Sequence, residues 1–524
     1  MWNNALNRTE ALDGSRDDCI FLVMNANLYA LIDAHFPREP EVPCILTPDA
    51  PVIHYGDLAD ESARLANALV RAGCSPGDRV AVQTDKHWRV LALYLACLRA
   101  GLVYLPLNTG YQKAELQFFF EDARPRVIVC RPESLGTVAT IANDAIVLTL
   151  DANGEGELTD RAAQESRHFE TVLSQPDDLA AILYTSGTTG RSKGAALTHR
   201  NLASNALALV EAWGFTRGDV LLHALPIYHV HGLFVAIHCA LLSGARLIFL
   251  PKFDARDVIA ALPAATVMMG VPTFYTRLLA EPTFTREACA GVRLFISGSA
   301  PLLAETFNAF ADCIGQPILE RYGMTETGMI TSNPLDGVRA AGTVGRPLPG
   351  ISVRITDADG QPCAPGVVGG VEVRGPNVFS GYWQMPDKTR EEFTADGWFR
   401  TGDIGEWVAD GDAKDYLRLV GRAKDLIISG GLNVYAKEIE ERLNAFPAIV
   451  ESAVIGVPDN DLGEAVTAVV VVRDGETIDE RAMIRSLKDE IAPFKVPKRV
   501  HVVDELPRNA MGKVQKNVLR ERFS

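Results

Sequence analysis

Paired cysteines are absent from this sequence. Nine cysteines are scattered singly between Cys19 and Cys363, no Cys-x-x-Cys occurs, and the last 161 residues hold none. This excludes a disulfide framework or a cysteine zinc site and suits a reducing compartment, so the expected setting is the cytoplasm. No apolar run reaches membrane-spanning length. The N-terminus lacks the apolar core of a signal peptide, and Glu10, Asp13, Asp17 and Asp18 do not suit a transit peptide. Positive charge is in short supply: 51 Lys and Arg face 66 Asp and Glu, a formal net charge of −15. General nucleic-acid and anionic-membrane partners are therefore not expected. Any site for an anion must be locally basic against this background. Internal repeats and low-complexity tracts are also missing.

What is present is a chain of 524 residues, 47% apolar and 22% charged, long enough for several domain-sized units. Its densest chemical signal is Tyr184-Thr-Ser-Gly-Thr-Thr-Gly-Arg-Ser-Lys-Gly-Ala195. An apolar run, Leu179–Tyr184, precedes it and suits a buried strand. Thr198 after it suits a helix cap. Glycines let backbone amides approach an anion, hydroxyls donate to phosphate oxygens, and Arg191 and Lys193 balance charge. A solvated polar turn is the plain alternative, but this density of small, hydroxyl and basic residues points to polyphosphate. The usual P-loop spacing is absent. Lys193 is followed by Gly194, so no adjoining hydroxyl can hold magnesium, and a metal ligand must come from elsewhere.

Along the chain, helical patterns at Leu58–Arg71 and Val90–Ala100 alternate with strand patterns at Arg79–Gln83, Val127–Cys130 and Ile146–Leu150. That alternation implies parallel α/β sheet. Asp151–Arg167 reads as a surface loop. Leu294–Ala300 runs into a small-residue turn where backbone can approach a flat ligand. Val353–Phe399, with Gly/Pro turns, reads as a small antiparallel β unit. Gly421–Gly431 reads as a linker, and the helices and strands beyond it as a separate α+β domain. The fold class is thus α/β: a large N-terminal domain of α/β subdomains plus a small β unit, and a smaller mobile α+β C-terminal domain. The boundaries are 1–421, a hinge over 422–431, and a lid over 432–524.

Five segments together carry a resemblance. Thr185–Ala195, Glu320–Thr327, Thr401-Gly-Asp403, Gly421-Arg422 and Pro507–Lys513 resemble, in order, the motifs of the adenylate-forming superfamily. That superfamily comprises acyl-CoA synthetases, peptide-synthetase adenylation domains and beetle luciferases. Leu225–Phe234, Gly270–Arg277 and Pro507–Lys516 look more narrowly like malonyl-CoA synthetases. The resemblance implies attack of a carboxylate on the α-phosphorus of ATP, then displacement of AMP by the thiol of CoA. It implies that Thr185, Ser186, Gly187, Thr188, Thr189, Gly190 and Lys193 hold phosphates. Tyr322 would stack on adenine, Thr325 would contact the α-phosphate, and Glu326 would bind Mg2+, hard oxygen to hard cation. Ser299, Ala300, Glu320, Arg321, Gly323 and Met324 join the nucleotide contacts. Asp403 would accept the ribose hydroxyls with Arg422 beside it; a lone Thr-Gly-Asp would otherwise read as an Asx turn. Lys424 falls at the hinge. Lys513 would bridge the reacting carboxylate and phosphate. Ser429, Gly430 and Gly431 would line the CoA passage, where glycines leave room for the pantetheine arm. The family also offers reversible acetylation of Lys513, by an acetyltransferase and deacetylase, as regulation that removes its charge.

For the acid, His229 and His231 lack a carboxylate or cysteine partner and read as pocket wall rather than metal ligands, with His229 at the family's gate position. Arg277 on a helix begun by Pro272 is expected to share a face with Phe274 and Leu278. A buried arginine there would bind the distal carboxylate of a short diacid, with Ser297 or Ser299 close by; the alternative is an ion pair to Glu281. The expected reaction is malonate, or methylmalonate, to its CoA thioester. A CoA ligase for another short or aromatic acid, a carrier-protein-loading adenylation enzyme and a silent nucleotide-binding protein are the competing readings.

Overall fold

The computed structural model describes residues 25–48, 50–185, 192–429, 432–459, 462–509 and 512–524. The architecture is α/β, with a large N-terminal domain and a small C-terminal one. Strands Arg79–Gln83, Val103–Pro106, Val127–Cys130, Ile146–Thr149 and Leu179–Thr185 form the parallel part of a seven-stranded sheet. Most of their residues are buried, which is why they read as continuous apolar runs rather than alternating ones. Lys193–Thr198 returns antiparallel against Leu179–Thr185, pairing Thr185 with Lys193. Gly381–Tyr382 pairs with its far edge, Tyr382 opposite Ala195. The two ends of the glycine-rich loop are therefore held in one ladder, with Tyr382 beside its exit.

Thr198 caps the helix His199–Ala212, accepting from the Asn201 amide, while Asn201 returns a bond to the Thr198 amide. The Asn201 amide group also donates to the Pro376 and Val378 carbonyls, and Asn205 bonds both ways with Met329. This helix ties the loop to the next part of the site. That part sits on a nine-stranded sheet whose neighbours include, in order, Gly328–Ser332, Leu319–Met324, Leu294–Ser297, Val267–Gly270, Val220–His223 and Arg246–Phe249. The helix Trp88–Arg99 is buried from Val90 to Arg99, as a helix covered on all sides must be. Its one buried cation is held through its two terminal nitrogens: Arg99 Nη1 donates to the Ala59 carbonyl and to Ser62 Oγ, and Nη2 to the Phe169 carbonyl.

Ser352–Thr356, Gly369–Arg374, Phe399–Trp407 and Leu417–Arg422 make the antiparallel β unit. The C-terminal sheet combines Leu432–Val434, Ile427–Ser429, Gly463–Val472, Ile449–Asp459 and Arg499–Val503, with the helices Ala436–Asn444 and Glu480–Glu490 contributing Ile439, Leu443, Met483 and Leu487 to its core. Two expectations need correction. Asp151–Arg167 is not all loop: Glu157–Ala162 is helical and buries Leu158 and Ala162, a helix too short to show a period. Gly421–Gly431 is not simply linker: a strand ends at Arg422, Ala423–Asp425 forms a 3-10 turn, and Ile427–Ser429 is a strand. Among the described residues no helix is long and apolar enough to cross a membrane.

Candidate active site

Antiparallel register sets the first group. Asp403 stands opposite Arg422 in adjacent strands, and Arg422 Nε lies 3.0 Å from Asp403 Oδ1. Tyr322, at the end of strand Leu319–Met324, donates its hydroxyl to Asp403 Oδ2 at 2.5 Å. A carboxylate has about four acceptor positions, so two engaged oxygens still leave capacity for hydroxyl donors. Lys513 reaches the same place from the C-terminal domain. Its amide is held by Asn509 Oδ1 at 3.0 Å, and a Cβ on Gly512 would lie 3.7 Å from Thr273 Oγ1. Burial, then repulsion by Arg422, lowers the Lys513 pKa to about 8, with Asp403 opposing. Lys424 lies in the 3-10 turn nearby, its pKa also lowered by burial and Arg422.

The second group surrounds Glu326. Its carboxylate is buried, and Tyr382 donates to Oε1 at 3.1 Å. The same Tyr382 ring carries the Lys193 ammonium on its face at 4.7 Å. Lys193 is buried, with Glu392 Oε1 at 3.5 Å. One phenol thus joins the loop lysine to the acid carboxylate. Burial raises the Glu326 pKa, against the pull of Tyr382, Arg422 and Lys193. Among the described residues no group of three or more His, Cys, Asp or Glu could hold a metal. One hard carboxylate, Glu326, with the cation Lys193 close by across the Tyr382 ring fits a magnesium ion that arrives on a polyphosphate, since Mg2+ is usually bound by one or two carboxylates plus substrate phosphates.

The third group was only partly legible. Arg321 is buried, and its Nε and Nη2 have no hydrogen-bond partner among the described residues. Burial lowers its pKa to about 10. The guanidinium fits because residue 298 is glycine: a Cβ there would lie 2.4 Å from Arg321 Cζ. Beside it stands His231, whose Nδ1 is 3.2 Å from Ser299 Oγ; Ser297, opposite Glu320 in the parallel register, faces the other side of the sheet, its buried Oγ without a partner among the described residues. Ser299 holds φ +72°, an uncommon left-handed conformation for a residue with a side chain. Burial drives the His229 pKa down to about 4; it drives His231 well below the ordinary value, helped by Arg321. Both rings are neutral at pH 7. His229 and Thr325 share a cleft with Asn108, Tyr111, Tyr184 and Tyr228.

Arg277 does not belong to this group. The helix Pro272–Leu279 buries Tyr275 and Leu278, Phe274 is half-buried, and Arg277 is exposed. At 100° per residue Arg277 sits 100° from Leu278 and 200° from Tyr275, so it misses the buried face. It makes no ion pair to Glu281 among the described residues. The buried arginine lies on a strand instead. Glu320, one residue before it, points the other way, as strand neighbours must. Its Oε2 lacks a partner among the described residues, and burial raises its pKa to about 7 against the pull of Lys437. Gly323, Met324, Thr325 and Ala300 are half-buried around the turn after Tyr322 and the one after Ser299. Ser429 is buried in its strand. Ser186, Gly187, Thr188, Thr189, Gly190, Gly430 and Gly431 lie outside the described residues. Tyr382, Gly298 and the placement of Arg321 were the residues sequence reasoning missed; the tripeptide Ser297-Gly-Ser299 was the available signal.

A large α/β domain and a small C-terminal one, with Lys513 of the second near Asp403 and Arg422 of the first, are those of an AMP-forming acid–CoA ligase, and the chain belongs to the AMP-binding enzyme family. That family matches residues 33–383, and its C-terminal domain matches 438–513. Among relatives, the mitochondrial malonate–CoA ligase of Mus musculus is 38% identical over 516 residues, covering 90% of this chain and 86% of its own. ATP-bound MatB of Rhodopseudomonas palustris is 54% identical and covers 95% of this chain and 99% of its own, with a TM-score of 0.93. Against apo MatB the TM-score is 0.83, so the present arrangement of the chain is nearer the ATP-bound one.

Proposed function

We propose that this protein is an AMP-forming acid–CoA ligase that converts malonate, and methylmalonate, to the CoA thioester through an acyl adenylate. The observation that carries the choice of acid is the buried Arg321, two of whose donors have no partner among the described residues, with His231 and Ser299 beside it. A free carboxylate supplies what that cation lacks, and a fatty or aromatic acid does not. The other carboxylate is left facing the nucleotide side, where Thr325 and His229 share one cleft. Lys513 holds the attacking carboxylate and the α-phosphate together, offsetting the repulsion of anion for anion. Lys193 and the loop residues Thr185 to Gly190 take the phosphates, with Glu326 oriented by Tyr382. Mg2+ held by Glu326 and the phosphates would neutralise charge on the leaving pyrophosphate. Asp403 and Arg422 receive the ribose, and Tyr322 the adenine. After pyrophosphate leaves, the thiol of CoA attacks the acyl carbon and AMP departs.

We divide the chain at 421 and 432, with Lys424 at the pivot between the β unit and the C-terminal sheet. The eight free cysteines among the described residues fit a reducing compartment such as the cytoplasm. Acetylation of Lys513 would remove the charge the first step needs.

The test is an acid panel with ATP, Mg2+ and CoA, read as AMP formation. Malonate is expected to exceed propionate in kcat/KM by about 10³-fold or more, because propionate leaves the buried guanidinium unpaired. Equal use of propionate or benzoate would overturn the assignment of the acid while leaving the ligase class in place. A second outcome concerns pH. The cationic form of Lys513 is the working form, it is present below about pH 8 and lost above it. Malonate-dependent pyrophosphate exchange in the free enzyme is therefore expected to fall as pH rises through 8. Lys513→Arg, which stays charged, removes that limb.

A further inference from the structure

The strand Val220–His223 ends in an imidazole bonded on both nitrogens. Lys86 Nζ lies 2.8 Å from His223 Nδ1, and His223 Nε2 lies 2.9 Å from the Gly232 carbonyl oxygen. Lys86 also donates to the His223 carbonyl at 2.9 Å and the Leu250 carbonyl at 2.6 Å. Three acceptors surround the Lys86 nitrogen, and the Phe249 ring lies 4.3 Å from it. A carbonyl only accepts, so His223 Nε2 carries the hydrogen given to Gly232, and Nδ1 of the neutral ring accepts from Lys86. Burial lowers both pKa values well below the ordinary ones, and Lys86 further keeps His223 neutral.

Gly232 follows His231 and comes three residues after His229. From His231 to Ile237 the backbone is π-helical, a rare geometry found mostly at functional sites. Gly232 approaches the Pro226 carbonyl so closely that a Cβ would lie 2.0 Å from its oxygen. The Leu233 amide donates to the His229 carbonyl at 2.9 Å. One carbonyl at this turn is thus clamped from outside by a ring that a lysine holds at its other nitrogen.

We infer that Lys86 and His223 are positioning residues for the acid pocket: they hold the Gly232 carbonyl and, through that turn, the places of His229 and His231. The inference rests on the reading of His229, His231 and Arg321 as the acid site. Neither residue bonds to the groups around Asp403, Lys193 or Glu326, so the effect belongs to the acid and not to ATP.

Native enzyme is tested first. Failure to prefer malonate over propionate there sinks the pocket reading itself. With that preference in hand, Lys86→Met and His223→Phe are each expected to raise the malonate KM about tenfold, with the ATP KM and kcat within about twofold. The double variant should be no worse than the weaker single. His223→Gln, whose amide can still donate to the Gly232 carbonyl, should recover most of the loss. Parallel rises in both KM values, a fall in kcat alone, additive effects, or a Gln variant no better than Phe would each overturn the proposal. If Lys86→Met fails to fold, the Phe and Gln pair at His223 decides.

Discussion

Arg321→Leu is expected to lower kcat/KM for malonate by about 10³-fold, the order of effect of breaking a buried charge pair. The direction for propionate is opposite. Its methyl group meets leucine rather than an unpaired cation, so its kcat/KM should rise relative to the native enzyme, and the order of the two acids should approach inversion. A plain structural lesion cannot do this, because it lowers both. The control is Arg277→Ala, an exposed substitution expected to change kcat/KM for either acid by less than about twofold. Steady-state AMP formation with both acids checks all of these values. If Arg277→Ala abolished malonate use and Arg321→Leu spared it, the pocket would have to be redrawn around the helix Pro272–Leu279.

The second large effect divides the reaction in time. Lys513→Ala is expected to lower malonate-dependent pyrophosphate exchange by about 10³-fold, the loss typical of a donor aimed at developing charge. Thioester formation from chemically made malonyl adenylate and CoA should stay within about threefold of native, because its phosphate is already esterified and no anion need be brought to another. Loss of both half-reactions would mean that Lys513 supports the fold or the CoA step instead. Its position beside Asp403 and Arg422, in a chain nearer the ATP-bound arrangement of its relative, favours the first outcome.

How much of this could be read in the residues follows from their spacing. The alternation of helix and strand patterns indicated α/β architecture, but Thr401-Gly-Asp403, which alone reads as a turn, lies inside the strand Phe399–Trp407. The order of strands could not be read, since Val103–Pro106 and Leu179–Thr185 lie side by side with more than seventy residues between them. Arg277 looked buried because an eight-residue helix gives its phase poorly, and an error of one position turns a side chain by 100°. Arg321 was grouped with the nucleotide residues by the resemblance of Glu320–Thr327; that it is buried beside Gly298 could not be read, since strand Leu319–Met324 is covered on both faces up to Tyr322 and no alternation distinguished its two sides. Tyr382 became visible only when an antiparallel pairing brought it beside a loop nearly two hundred residues earlier. Lys86 and His223 are single residues of common types, and only distances join them.

The unpartnered guanidinium of Arg321 has a consequence for the protein when it is idle. A buried cation with unbonded donors weakens the fold that holds it, and the neighbouring Glu320 charge offsets only part of that cost. The trait that makes the enzyme choosy therefore makes the empty enzyme softer, and acid binding should firm it by mass action even before ATP is split. An abundant diacid would then act as its own enzyme's preservative, and scarcity would leave the protein in its least durable form.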